Sequence, residues 1–269
     1  FSGRQGARLS LSRPIMKPPL PTVTYGTSFR LCLQKSVVSR LGGRLPKAMG
    51  PELPILYSFR RCPYAMRARM ALAVAGLRHE IREVSLKDKP AEMLVVSPKA
   101  TVPVLVLLGG EVIEESRDIM LYALKRNDPE RWLQGWCPDL EALVERNDGP
   151  FKTYLDQYKY PQRFDVPMAT ARDRGLEILM DLEGRLAASP FLARQSPTLV
   201  DICLFPFVRQ FAAVDPDWFQ QVPLDRLRSW LAFFVEGSLF AQIMTKHSIW
   251  KSGQLAIIGE TSVMHSPMD

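Results

Sequence analysis

Residues 53–76, LPILYSFRRCPYAMRARMALAVAG, join a short apolar run to a helix through a cysteine, and no other stretch constrains the architecture as tightly. Residues 55–59 read as a buried strand. Two arginines follow, then Cys62-Pro63-Tyr64-Ala65, then a helical run that stops at Gly76. Proline is favoured at the first helical position, because it has no N–H to leave unpaired there and its φ is already helical. Pro63 therefore starts the helix and Cys62 is its N-cap, while Gly76 suits the left-handed residue just past the end. A sulfur at that cap faces free N–H groups and the positive end of the helix dipole. Arg60 and Arg61 add positive charge beside it. These features predict a thiolate whose pKa lies below the free value of about 8.5, hence a nucleophile. The alternative is a capped helix that begins after a buried, inert cysteine, which is a common kind.

At 269 residues the chain has room for one large or two modest domains, each with its own core. Its net charge of +7 misleads as an indicator of partners. Residues 1–50 carry nine Lys/Arg and no acid, which leaves 26 basic and 28 acidic residues in 51–269. That near-neutral remainder gives no case for nucleic-acid binding. No apolar run reaches 18 residues, so no transmembrane helix is expected. Cys32, Cys62, Cys137 and Cys203 are too scattered for a secreted disulfide framework, which fits a reducing compartment. His79, His247 and His265 lack metal-ligand spacing, so no metal is expected.

The leader, residues 1–50, is Arg- and Ser-rich and acid-poor, and is expected to be disordered. That composition matches an organelle transit peptide, for a plastid or mitochondrion. If Met49 is instead the true start, the rest of the chain is cytoplasmic. Residues 51–126 alternate strand and helix signals: strands at 54–59, 79–84, 102–108 and 111–113, and helices at 63–75, 90–95 and 116–125. The order βαβα then ββα predicts a thioredoxin-like α/β sandwich, with 102–108 as its central strand. Gly109-Gly110 makes the hairpin turn. Residues 127–138 read as a linker. Residues 139–250 carry only helical periodicity, at 139–158, 165–188, 198–214 and 224–236, so this second domain is expected to be all-α. Residues 156–164 read as a break between helices. Thr198 and Asp201 have the spacing of a capping box. Residues 251–269, a tail, carry little signal.

Three further places in the first domain could handle a ligand. Val102-Pro103 stands at the start of a strand, where proline is confined to the first position. A cis bond there would turn the Val102 N–H and C=O outward as an edge for an extended peptide; an ordinary trans proline ending a loop is the plainer alternative. Glu115-Ser116 precede a helix, with Ser116 as N-cap. Such a pair could take a group bearing both an amine and a carboxylate, or could simply cap the helix. Lys89 could meet a second carboxylate or remain solvated.

Taken together, C-P-Y-A at Cys62, K-P at Lys89, V-P at Val102 and E-S at Glu115 resemble the N-terminal domain of cysteine-type glutathione transferases. The likeness is closest to the omega class and its bacterial relatives, then to the dehydroascorbate reductases, and it covers about residues 53–250. The tetrapeptide also resembles the glutaredoxin C-P-Y-C with its second cysteine replaced by Ala65. The resemblance implies a glutathione transferase fold, glutathione as cosubstrate, and Cys62 as a nucleophile that forms a mixed disulfide with glutathione. Pro63 and Tyr64 would support the helix cap. Val102, beside cis-Pro103, would pair its backbone with the cysteinyl part of glutathione. Glu115 and Ser116 would hold the γ-glutamyl end, and Lys89 the glycyl carboxylate. Homodimers are common in that family.

A thiol where other classes carry a Tyr or Ser hydroxyl argues against ordinary conjugation and for a thiol transferase or reductase. A glutathionylated or other small thiol compound would then be its partner. The stretch 151–164, with Tyr154, Tyr158, Lys159, Tyr160 and Arg163, is the expected acceptor wall. The rival readings are a non-catalytic binding or interaction module on the same scaffold, and a conjugating transferase.

Overall fold

The computed structural model describes residues 52–259; the expectations for the basic leader lie outside the described residues. Strand β1 (Ile55–Ser58) is buried at every position and sits in the middle of a five-stranded sheet of order β4-β3-β1-β2-β5. It runs parallel to β2 (Glu80–Glu83), with Ile55 opposite Glu80, and antiparallel to β3 (Val104–Val106). Strand β4 (Val112–Ile113) completes the hairpin after β3. The apolar run 102–108 was expected to be the central strand. It is instead one place off centre and only three of its residues, Val104–Val106, form the strand, two of them paired on both sides, because Pro103 withholds an N–H and the hairpin turn begins at Leu107.

Strand alternation divides the sheet's side chains between two layers. Leu56 and Leu105 face the core that contains helix α1 (Pro63–Val74) and helix α3 (Ser116–Leu124). Ile55, Tyr57 and Val104 face the other way, against Met93 of helix α2 (Ala91–Val96). Helix α1 is buried nearly all round, because the helical half of the chain covers the side that the sheet does not. It ends as expected: Gly76 has φ +67°, its N–H reaches Ala73 O, and the Leu77 N–H reaches Leu72 O. Those two bonds make a Schellman termination.

The helical half follows. Helix α4 (Pro138–Arg146) passes through a π-helical turn, Asn147–Phe151, into α5 (Lys152–Lys159). Pro150 lies inside that turn. Its ring lacks an N–H and crowds the carbonyl four residues back, and a widened turn lets the helix continue past it. Then come α6 (Met168–Arg185), α7 (Leu199–Ala212), α8 (Pro216–Gln221), α9 (Asp225–Glu236) and α10 (Ser238–Ile243). The break expected over 156–164 starts only after Lys159. The short helices α8 and α10 had no distinct sequence signal.

The capping box is present at the start of α7, where Asp201 takes the Thr198 N–H at 2.8 Å and its hydroxyl at 2.7 Å. The same fully buried carboxylate also accepts from Leu192 N and from Trp230 Nε1, both at 2.9 Å. It therefore ties α7 to the preceding loop and to α9. No helix among the described residues is long and apolar enough to cross a membrane.

The stretch after Lys251, read as a tail without signal, contributes strand β5 (Ile257–Ile258). It pairs antiparallel with β2, Ile257 opposite Ile81. Two residues are too few to show a periodicity. The approach is anchored by Trp250, whose N–H donates to Glu83 O at 2.8 Å and whose ring lies 4.1 Å from the Arg82 guanidinium.

Candidate active site

Cys62 is the N-cap of α1, with extended backbone (φ −72°, ψ 124°), and Pro63 is the first helical residue. The Cys62 N–H is held by Phe59 O at 2.9 Å, which closes the turn out of β1. The sulfur is partly exposed. It makes no capping hydrogen bond to the helix; its S–H donates to Val102 O at 3.6 Å. The Val102–Pro103 bond is cis. The cap and the loop before β3, 40 residues apart in sequence, thus meet at one sulfur.

The charge state differs from expectation. Burial pushes the Cys62 thiol up, and that outweighs the N–H groups of Ala65 and Tyr64 and the cations Arg69 and Lys152, which pull it down. The cations that act most on the sulfur were not the expected ones. Arg69 is two turns into α1 and Lys152 is the first residue of α5. In this form the site holds a thiol, and the lowered pKa read from Arg60, Arg61 and the helix dipole is corrected.

Arg69 is buried, and it builds the turn on which Cys62 stands. Its guanidinium donates to Ser58 Oγ at 2.5 Å, to Phe59 O at 3.3 Å and to Arg60 O at 2.7 Å. Burial lowers its pKa to about 10, still well above neutrality. Glu83 closes the other side by accepting the Arg60 N–H at 2.8 Å.

Tyr64, Glu115 and Ser116 line a cavity of about 390 Å³ together with Arg117, Asp118 and Asp148. Burial, followed by the Asp148 charge, pushes the Tyr64 hydroxyl up to about 12, so it stays a donor. The cap of α3 is Glu115, not Ser116: Ser116 is already helical and buried, and Glu115 makes no side-chain cap bond. The Glu115 carboxylate instead pairs with Lys99 at the surface. Lys89 lies in a separate depression of about 300 Å³, shared with Glu92, Trp250 and Lys251, and its ammonium donates to Leu86 O at 3.0 Å. Among the described residues no set of His, Cys, Asp and Glu gathers as metal ligands.

Against known proteins, residues 56–132 match the family model "Glutathione S-transferase, N-terminal domain" and residues 131–233 match "Glutathione S-transferase, C-terminal domain". A tobacco (Nicotiana tabacum) protein described as "Probable glutathione S-transferase parA" is 30% identical over 166 residues, 58% of this chain and 72% of that one. The chain belongs to the glutathione S-transferase family. The mouse (Mus musculus) "Glutathione S-transferase omega-1" is 28% identical over 197 residues, 71% of this chain and 80% of the relative. Among solved structures, a glutathione transferase family member from Pseudomonas fluorescens Pf-5, with two glutathione bound, superposes with a TM-score of 0.63. It is 19% identical, over 74% of this chain and 95% of that one. That likeness concerns the fold.

Sequence reasoning missed Arg67, Arg69, Asp148 and Lys152. Arg67 is fully buried and reaches Asp148, in the π-helical turn, and Cys203 O, in α7. The available signal was two arginines set in an otherwise apolar helix, which only a buried anion or a row of carbonyls would accommodate.

Proposed function

We propose that the protein is a glutathione-dependent thiol transferase with Cys62 as the nucleophile. The observation that carries this reading is the Cys62 Sγ contact to Val102 O beside cis-Pro103. It puts a thiol next to a free-standing strand start, where an extended peptide can pair. The omega-1 name of the mouse relative and the glutathione in the Pseudomonas structure support the same cosubstrate.

In this reading, Val102 pairs with the cysteinyl backbone of glutathione. Glu115 and Ser116 take the γ-glutamyl end, and Lys89 takes the glycyl carboxylate. The Glu115–Lys99 pair is exposed on both sides, 61% and 49%, and exposed pairs are weak, so an incoming ammonium displaces Lys99 at little cost. Pairing also occupies the carbonyl that now accepts the S–H. That removes a partner of the neutral thiol and favours the thiolate when the tripeptide is bound. The Cys62 thiolate attacks a glutathionylated sulfur and the acceptor leaves. A second glutathione then attacks the mixed disulfide, releasing oxidised glutathione.

The test is turnover of a glutathionylated substrate by wild type and Cys62→Ser, with intact mass of the enzyme. One glutathione adduct on wild type, and loss of both adduct and turnover in Cys62→Ser, is the expected result. Turnover unchanged in Cys62→Ser, or absent from wild type, sinks the reading. The protonated sulfur favours a second reading, in which a neutral S–H donates to a glutathione thiolate that attacks an electrophile. Turnover of chlorodinitrobenzene without any adduct on Cys62 would select it.

A further inference from the structure

The turn that leads into Cys62 gathers cations from both halves of the molecule. Arg60 and Arg61 occupy the turn immediately before the sulfur, and α7 closes on that turn: Gln210 Nε2 donates to Arg61 O at 2.9 Å. Lys159, at the end of α5, donates to Gln210 Oε1 at 3.1 Å. Arg209, next to Gln210, has its pKa lowered by burial and then by the charge of Arg60, so the two guanidinium groups feel each other. Three separate elements therefore deliver Arg60, Arg61, Lys159 and Arg209 to one corner.

The neighbouring acids offset them only in part. Lys152 takes Asp156, and Glu83 accepts the Arg60 N–H and lies within reach of the charges of Arg69, His247 and Arg60, which leaves Arg61, Lys159 and Arg209 without an acid. Among the described residues none of the four rim cations forms an ion pair. Three of them rest on rings instead: Arg61 on Phe59, Lys159 on Tyr160 and Arg209 on Phe240, at 5.5, 5.2 and 5.1 Å from the ring centres. Unpaired like charges held together by hydrogen bonds repel one another, and a bound anion relieves that repulsion. A cleft lined by one sign of charge also raises the local concentration of the opposite sign.

We propose that the acceptor half of the disulfide reduced at Cys62 is an anion, a small thiol bearing a carboxylate, sulfonate or phosphate, received by the Arg60, Arg61, Lys159 and Arg209 rim. This rests on the thiol-transferase reading and specifies its substrate. The Cys62 thiolate attacks the glutathionyl sulfur of the mixed disulfide. The Cys62–glutathione S–S bond forms as the substrate S–S bond breaks, and the electron pair leaves on the anionic thiol, which takes a proton from water. A second glutathione thiolate attacks the glutathionyl sulfur on Cys62, giving oxidised glutathione and returning the Cys62 thiolate.

The experiment compares kcat/KM at low ionic strength for three mixed disulfides of glutathione, with mercaptopropionate (anionic), mercaptoethanol (neutral) and cysteamine (cationic). The expected order is anionic, neutral, cationic. The anionic-to-neutral ratio falls about fivefold in Arg61→Gln/Lys159→Gln/Arg209→Gln and is compressed by salt. The double variant Arg61→Gln/Lys159→Gln serves if the triple variant does not fold. A second readout needs no turnover: the iodoacetate-to-iodoacetamide alkylation ratio at Cys62, read by peptide mass, exceeds that of free glutathione and drops in the same variants. Equal kcat/KM for the three disulfides, or a charge order or alkylation ratio that survives in the variants, overturns the rim inference alone. No turnover of any disulfide overturns the thiol-transferase reading, and this inference with it.

Discussion

The Arg67 guanidinium holds both oxygens of Asp148, at 2.8 and 2.5 Å, from opposite halves of the molecule. Arg67 belongs to the cysteine-bearing helix and Asp148 to the π-helical turn between α4 and α5. The arginine is fully buried and its third contact, Nε to Cys203 O at 2.7 Å, reaches α7. One side chain thus fastens α1 to two elements of the helical half. Its charge also lies over the rings of Tyr64 and Phe207, at 5.3 and 4.5 Å.

Removing the anion should therefore cost more than removing the pair. Asp148→Ala leaves a buried guanidinium without its counter-charge, and about 3 kcal/mol of stability is expected to be lost. Arg67→Met/Asp148→Leu should recover much of that, because an apolar pair of similar volume avoids the desolvation cost. Urea denaturation of Arg67→Met, Asp148→Leu and the double variant measures this as a mutant cycle. A double variant as unstable as the sum of the singles would show that the pair is not coupled.

Gly175 on α6 offers a test with an inverted sign. Glycine to alanine inside a helix ordinarily gains about 1 kcal/mol. Here an added Cβ would come within 2.3 Å of Phe211 Cε2 and 2.7 Å of its Cζ. Phe211 is fully buried among Phe151, Tyr158 and Trp218, with ring centres 5.0–6.2 Å away, and has no free direction in which to move. Gly175→Ala should destabilise by about 1–3 kcal/mol, read as a lower thermal midpoint. A neutral or stabilising result would mean that the aromatic cluster yields.

What the sequence disclosed was local chemistry. The Cys62-Pro63 start, the Gly76 stop and the Thr198 and Asp201 box each depend on residues within a few positions, and each is present. The strand pattern around β1 and β2 was equally legible, because alternation is a property of neighbours. Partners far along the chain were not. Arg67 looks like a solvated charge until Asp148, 81 residues later, is brought to it. Glu115 was read as a holder of a ligand's amine or a plain helix cap, and its surface pairing with Lys99, 16 residues earlier, had no local signal. The thiol pKa was misjudged for the same reason. The helix dipole and the adjacent arginines can be read off the local sequence, but the enclosure that outweighs them is made by chain from elsewhere.

His79 gives a pH dependence with a definite direction. It is 3% exposed, and its Nδ1 lies 2.9 Å from Leu77 O, so that nitrogen carries the proton. Burial lowers its pKa below the free value of 6.5. In the window between the lowered folded value and 6.5 the unfolded chain binds more protons, so stability rises with pH and is lost as the pH falls below 6.5. The loss from one such group is at most about 1.4 kcal/mol per pH unit. Wild type should lose thermal stability between pH 7 and pH 5 more steeply than His79→Gln. Parallel slopes would assign the acid sensitivity elsewhere.

The Cys62 sulfur should titrate in two ways. In the free protein its folded pKa is raised, so the thiolate band near 240 nm, taken as wild type minus Cys62→Ser, is expected at higher pH than that of a free cysteine. If the S–H contact to Val102 O helps hold the proton, a peptide that pairs with Val102 must weaken that hold. Addition of S-methylglutathione, which has no reactive thiol, should then move the band to lower pH. A band already complete at pH 7 in the free protein would restore the expectation read from the arginines and the helix dipole. A raised band that S-methylglutathione leaves in place, although it binds, would show that the carbonyl contact has no part in setting the charge of the sulfur.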